Sequence, residues 1–223
     1  SGQRAIYHMH AKSQKYKNLA LFDFDGTLYE HDSFTGFIFY SLGKRHILKR
    51  GLTTLPWIIA YYLKLYPAHK MRPRLFKGMF KSVPQHQIKE KAESYAAQLV
   101  QALNPELLNQ LQKHQAHGDD IVLVSASINI YLEAVCELLN IDLICSQVAL
   151  ENSIFSGEYL TADCSLYEKK QQIIKRYDLE QYNAIYAYGN SYEDEPMLNM
   201  ATYPYMVGTD QALPEVTLYK KLA

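Results

Sequence analysis

Three short apolar runs, each closed by a polar cluster, constrain this chain more than any other feature. Leu19-Ala20-Leu21-Phe22 leads into Asp23-Phe24-Asp25-Gly26-Thr27. Ile121-Val122-Leu123-Val124 leads into Ser125-Ala126-Ser127, and Ala184-Ile185-Tyr186-Ala187-Tyr188 into Gly189-Asn190-Ser191. Apolar runs of this length without alternation suit strands buried on both faces of a parallel sheet. Helical patterns lie between them at Pro105–His117, at Ile128–Leu139 with Ser127 as its cap, and at Lys169–Tyr177. Strand–helix alternation predicts an α/β fold with a doubly wound, mainly parallel sheet. Ligands of such sheets bind beyond the carboxyl ends of the strands. All three polar clusters sit at those ends, so the pattern gathers them at one site. With 223 residues and 48% apolar content, the chain buries such a core without staples.

Residues 31–104 are too long for a simple strand-to-helix connection. Helical patterns fill them at 34–49, 54–65, 71–80 and 86–103, separated by Gly51, Pro67 and Pro84. They are expected to form an all-helical cap inserted into a core of 18–30 and 105–223, after an N-terminal extension at 1–17. A strand is expected at 141–145 and a hairpin at 153–160, turning at Ser156-Gly157. The extension has no apolar segment of the signal-peptide kind. The three cysteines are far apart, with neither zinc spacing nor a disulfide framework, which predicts a reducing, cytoplasmic setting.

Charge is unevenly spread. The chain is neutral, yet the 57 residues from Ser33 to Lys89 hold 11 Lys or Arg and no Asp or Glu. Twelve basic and 23 acidic residues make up the rest. A basic block of this kind suits an anionic partner or simply rests on the acidic remainder. No nucleic-acid motif accompanies it, so nucleic acid is not expected as a partner. Its apolar run, Leu55–Leu63, is too short to span a bilayer, which takes about 20 apolar residues. Flanked by cations, it suits the surface of an anionic membrane, so a place peripheral to the membrane is the second expectation.

The strand ends carry the chemistry. Asp23 and Asp25 stand two residues apart, on one side of an extended backbone. Their repulsion calls for a shared proton or a hard cation such as Mg²⁺. Gly26 permits a sharp turn and Thr27 adds a hydroxyl. Ser125 and the amide of Ala126 suit a phosphate oxygen near a helix start. Lys169 or Lys170 opens a helix, where a cation is better explained by an anionic site than by the helix dipole. Asn190 and Asp194 offer two oxygen ligands. Each cluster alone also reads as an ordinary turn or cap.

Together, DFDGTL at 23–28, Ser125 in LVSAS, the lysine at 169 or 170, and YGNSYEDEPML at 188–198 resemble the haloacid dehalogenase superfamily. The likeness is to its phosphoserine phosphatase-like branch with a helical cap. The resemblance implies that Asp23 is a nucleophile that becomes an aspartyl phosphate, and that Asp25 is the general acid and base. It implies Mg²⁺ held by Asp23, the Asp25 carbonyl, Asn190 and Asp194. Gly26, Ser125, Ala126 and Lys169 hold phosphate, with Lys170 as the alternate to Lys169. In the cap it implies substrate contacts from Asp32 and from Arg72 in RPRLFKG. The family pattern normally has Asp at position 190, so Asn190 removes a charge from the metal site. A Mg²⁺-dependent phosphatase for a small phosphorylated metabolite is the leading expectation. A membrane-surface lipid phosphate phosphatase and a non-catalytic phosphate-binding protein are the competing ones.

Overall fold

The computed structural model describes residues 17–216. Residues 1–16 of the expected extension and 217–223 of the expected core lie outside the described residues. Strands β1 (Leu19–Phe22), β2 (Asp120–Ile128), β3 (Asp142–Ser146), β6 (Ile185–Gly189) and β7 (Tyr203–Met206) form one sheet, ordered β3-β2-β1-β6-β7, with every pairing parallel. Strands β4 (Val148–Glu151) and β5 (Ile154–Tyr159) pair antiparallel. The helices are α1 (Ser33–Ser41), α2 (Lys44–Tyr62), α3 (Ala68–Phe80), α4 (His86–Gln101), α5 (Pro105–His117), α6 (Asn129–Leu139), α7 (Tyr167–Arg176) and α8 (Glu195–Asn199). No helix among the described residues is long and apolar enough to cross a membrane.

Burial on both faces explains the unbroken apolar runs. In β1, Ala20 and Phe22 join a cluster with Ala96 and Leu99 of α4, Leu107 of α5 and Leu132 of α6. Leu19 and Leu21 join the opposite cluster with Ile173 of α7 and Met197 of α8. The sheet is therefore a filled layer between helices. Neighbours of the central β1 lie on both sides, so the strand order reverses there and a crevice opens beyond its carboxyl end.

Local chemistry sets several boundaries. Asn104 caps α5 by accepting from Glu106 N at 3.0 Å and Leu107 N at 3.2 Å, and Gly118 closes that helix in the left-handed region at φ 82°. The expected helix at 34–49 is instead two helices. Leu42 adopts an extended conformation at φ −110°, ψ 150° and turns inward against the core. The expected break at Gly51 is absent, because α2 runs through both Gly51 and Pro56. Gly51 carries only a propensity cost of about 1 kcal/mol, which the good helix formers around it offset. Ser127 does not cap α6. β2 continues to Ile128 with a register shift after Ser125, and the Ser127 hydroxyl bonds the buried Tyr131 hydroxyl. The hairpin turns at Asn152 and Ser153, with φ 50° and 62°, earlier than expected. Two left-handed residues match the twist of the flanking strands. Gly157 lies within β5, where a Cβ would come 3.0 Å from the Cβ of Lys81 just beyond α3. This hairpin therefore braces the cap, with Phe155 packed edge-on against Phe76 and Phe80.

A polar network is buried against β6. The His114 ring contacts Asp119 Oδ2 at 2.7 Å through Nδ1 and the Tyr188 hydroxyl at 2.8 Å through Nε2. Burial pushes the Asp119 carboxyl up, but hydrogen bonds from His114, His117 and Asn18 outweigh it and hold it below its usual range. A carboxyl lowered on folding adds stability above its unfolded pKa, and that contribution fades as pH falls through its folded value. Asp119→Asn is therefore expected to cost about 1–3 kcal/mol at neutral pH. The gap to wild type should narrow below about pH 4. Thermal melts across pH measure it, and a gap constant with pH would remove the carboxylate from the explanation.

Candidate active site

Asp23 is the first residue after β1. It is buried, and its backbone N–H donates to Tyr188 O of β6 at 2.9 Å. Its Oδ1 accepts from Lys169 Nζ at 2.7 Å and its Oδ2 from Thr27 Oγ1 at 3.0 Å. Burial pushes the Asp23 carboxyl up to about 6, against the opposing pull of Lys169. Asp25 is half-buried two residues on, its Oδ1 accepting from Ser33 N at 3.0 Å. Ser33 is the first residue of α1, so the carboxyl rests at a helix N-terminus, which favours its charge. Burial outweighs the Ser33 bonds and, with Asp32 nearby, raises Asp25 to about 7. The two carboxyls thus sit in different surroundings. One is tied to a cation, and the other is near the midpoint of its titration at neutral pH.

The turn after Asp25 requires glycine. Gly26 has φ 79°, and a Cβ there would overlap the Asn190 side chain. Asn190 follows β6, and with its amide nitrogen turned inward it donates to Asp23 Oδ2 at 2.9 Å. It donates equally to Asp25 O and Asp194 Oδ2, both at 3.2 Å. Asp194 is buried, and its Oδ2 accepts from Asn190 N at 2.9 Å and Ser191 N at 3.4 Å, closing the loop after β6. Its Oδ1 accepts from Lys169 Nζ at 2.6 Å.

Lys169 lies in the first turn of α7, and its ammonium gives its third bond to Val124 O at 3.0 Å. Burial pulls its pKa down, but Asp23 and Asp194 outweigh that and hold it above the ordinary lysine value. Lys170 lines neither of the two cavities at this site. Ser125 is buried, and its Oγ accepts from Ser127 N at 3.0 Å, which leaves its own proton for a further acceptor. Asp23, Asp25, Ser125, Ala126, Lys169 and Asp194 all line one cavity of 240 Å³.

The two expected cap residues behave differently. Arg72 of α3 is bidentate to Asp163, with Nε to Oδ1 at 2.9 Å and Nη2 to Oδ2 at 2.8 Å, and also binds Glu193. It ties the cap to two core loops while still lining the cavity. Asp32 caps α1, accepting from Thr35 N at 3.0 Å and Thr35 Oγ1 at 2.8 Å. It lines a second, larger cavity, as Gly26 does, and not the smaller one. Sequence reading missed Asp163, which holds Arg72, and Ser33, which holds Asp25. Only Ser33 left a signal, as the first residue after a capping Asp.

The donor set fits Mg²⁺. The oxygens of Asp23, the Asp25 carbonyl and Asp194 converge on the Asn190 amide, which would present its oxygen rather than its nitrogen to a cation there, and hard oxygen ligands are what Mg²⁺ takes. Among the described residues no three His, Cys, Asp or Glu side chains form a metal cluster. The converging set is two carboxylates, a carbonyl and an amide, because position 190 is Asn.

Comparison with known proteins gives the family and the fold. A histidinol-phosphatase of Neisseria meningitidis serogroup C (strain 8013) is 26% identical over 213 residues, 88% of this chain and 93% of that protein. The structure of a protein with unknown function from Bordetella pertussis Tohama I superposes with a TM-score of 0.70 at 18% identity, over 83% of this chain and 87% of that one. A probable phosphoserine phosphatase from Vibrio cholerae superposes with a TM-score of 0.61 at 14% identity, over 83% of this chain and 54% of that one. The haloacid dehalogenase-like hydrolase family model matches residues 20–199, from β1 through α8 and so through every element that lines the cavity. With that span matched and the strand-end residues assembled around one cavity, this chain belongs to the haloacid dehalogenase-like hydrolases.

Proposed function

We propose that this chain hydrolyses phosphate monoesters in a Mg²⁺-dependent reaction that passes through a phosphoryl group on Asp23. The observation that carries the reading is the pairing of Asp23, held by Lys169 and Thr27, with Asp25, held at the start of α1. An Asp23 oxygen attacks phosphorus while the bond from phosphorus to the alcohol oxygen breaks, and Asp25 gives its proton to the leaving oxygen. Asp25 then takes a proton from water, whose oxygen attacks phosphorus, and the bond to Asp23 breaks to release phosphate. A carboxyl near 7 suits both steps. Ser125 binds a remaining phosphate oxygen, and Lys169 sets its positive charge beside the phosphate, giving it a hydrogen bond only by releasing one of its three present partners. Asp23, the Asp25 carbonyl, Asp194 and the Asn190 amide oxygen would hold Mg²⁺, which would supply positive charge where nucleophile and phosphate meet.

On this reading the core is 18–30 with 105–223 and the cap is 31–104, braced by the β4–β5 hairpin. The three cysteines are free, buried thiols, in keeping with a reducing cytoplasm. A histidinol-phosphatase relative and phosphoserine phosphatase neighbours support a phosphatase and leave the alcohol open.

Release of nitrophenol from p-nitrophenyl phosphate, dependent on Mg²⁺ and stopped by a chelator, tests the reading. Phosphate binding without turnover would make this a binding protein, as Asn190 alone would suggest. Asn190→Asp adds a carboxylate to the set. The Mg²⁺ concentration for half-maximal rate should fall by about tenfold, because hard cations bind tighter as ligand charge rises. Calorimetric Mg²⁺ affinity should move with it, and an unchanged affinity would take position 190 out of the metal site.

A further inference from the structure

Helix α2 is the least buried long element of the fold. Of its 19 residues only Thr54 is buried. His46 Nε2 pins it to α3 through Met79 O at 2.6 Å. Two adjacent rows of the helix are apolar. One row, with Ile47, Gly51, Ile58 and Tyr61, walls a cavity of 640 Å³ whose other side is Met71, Leu75 and Met79 of α3. The next row, Leu48, Leu52, Leu55 and Ile59, faces outward, with Leu48 68% and Leu52 64% exposed, and Tyr62 stands at the cavity rim, 77% exposed. Lys44, Arg45 and Lys49 are exposed beside that row.

The cavity is continuous with the catalytic one, since Asp25, Arg72 and Asn190 line both. It is therefore polar at the end where phosphate chemistry occurs and apolar along the rest. Its volume lies in the range of sites that enclose a whole ligand. A small polar alcohol would leave most of those apolar walls facing water. A chain of methylenes would cover them.

We propose that this cavity takes the hydrocarbon chain of an amphiphilic phosphate monoester, and that the outer row of α2 rests on the bilayer supplying it. The inference builds on the phosphatase reading and names its substrate class. Charge decides between a bilayer and a second copy of this chain as the cover for the outer row. No acidic residue occurs from Ser33 to Lys89. Two copies meeting through α2 would bring like charges together, whereas anionic lipid offers opposite charge to cations beside an apolar row.

The test uses monoalkyl phosphates of increasing chain length below micelle formation, with p-nitrophenyl phosphate and histidinol phosphate as short references. kcat/KM should rise about twofold or more per added methylene until the cavity is filled. Gly51→Leu keeps the helix and fills the cavity, because a Cβ there would lie 3.8 Å from Met79 Cε. It should erase at least about tenfold of the long-chain gain and leave p-nitrophenyl phosphate turnover unchanged, and Ile58→Glu should do the same. Wild type should pellet with vesicles of phosphatidylcholine and phosphatidylglycerol, and Leu52→Glu with Ile59→Glu should release it. A flat chain-length profile, or histidinol phosphate outpacing every alkyl ester, overturns the substrate class while p-nitrophenyl phosphate turnover upholds the phosphatase. No turnover of any ester fails the parent reading instead. A dimer dissolved by Leu52→Glu, with no vesicle binding, makes the outer row an interface between copies and overturns the membrane contact.

Discussion

Asp23→Asn should reduce phosphomonoester turnover by about 10³-fold or more, the scale expected when a nucleophile is removed. The amide keeps the shape of the carboxyl and can still meet Thr27 Oγ1, which approaches Oδ2 at 3.0 Å. What it loses is the negative charge beside Lys169 and, on the proposed mechanism, the oxygen that attacks phosphorus. Because burial already pushes the Asp23 carboxyl up to about 6, neutralising it should cost little fold stability at neutral pH. A normal melting curve and lost activity are expected together. The variant should also fail to retain label from a ³²P-monoester after acid quench, while wild type retains it. Near wild-type turnover by Asp23→Asn would exclude a phosphoryl group on this residue.

The parallel sheet was legible because burial on both faces leaves short, unalternated apolar runs, and the polar residue after each run marks the carboxyl end. Asp23, Ser125 and Asn190 were readable for that reason, and Lys169 because a cation at a helix start is otherwise disfavoured. The cap was harder to divide. Gly51 and Pro56 do not interrupt α2, while Leu42, with no breaker signal, ends α1 through its packing. Local propensity is weak there beside tertiary contacts. Arg72 was visible as a cap cation, but its partners Asp163 and Glu193 lie 91 and 121 positions away. No spacing reveals a pairing across that separation. The role of Asp194 was only half legible. As a ligand it fitted the spacing, but its bonds to the backbone of Asn190 and Ser191 exist only once the loop closes on itself.

Lys169→Met tests the centre of the site from the opposite side. The Lys169 side chain is 2% exposed, and its ammonium lies 2.7 Å from Asp23 and 2.6 Å from Asp194. Methionine fills similar space and leaves two buried carboxyls without their cation. Breaking a buried pair in this way costs about 3–5 kcal/mol, mostly as the penalty of uncompensated charge. The penalty has a pH signature. Lys169 pulls the Asp23 carboxyl down against burial, so without it the Asp23 pKa rises further above its unfolded value. A carboxyl raised on folding destabilises the fold as pH climbs past the unfolded pKa, and protonation relieves it at lower pH. The gap between variant and wild type should therefore widen from about pH 5 to pH 8. Adding Asp194→Asn should recover part of the loss, because the amide still accepts from the Asn190 and Ser191 backbone, and residues in one network couple. Mg²⁺ separates a metal site from a purely structural ion pair. If Asp23 and Asp194 are ligands, Mg²⁺ should raise the melting temperature of Lys169→Met more than that of wild type, because only the variant lacks a cation between them. Phosphatase activity should still fall by about 10²–10³-fold, the scale for losing one charge-stabilising donor. A variant whose stability ignores both pH and Mg²⁺ would show that the Lys169 bridge is not coupled to a metal site on Asp23 and Asp194.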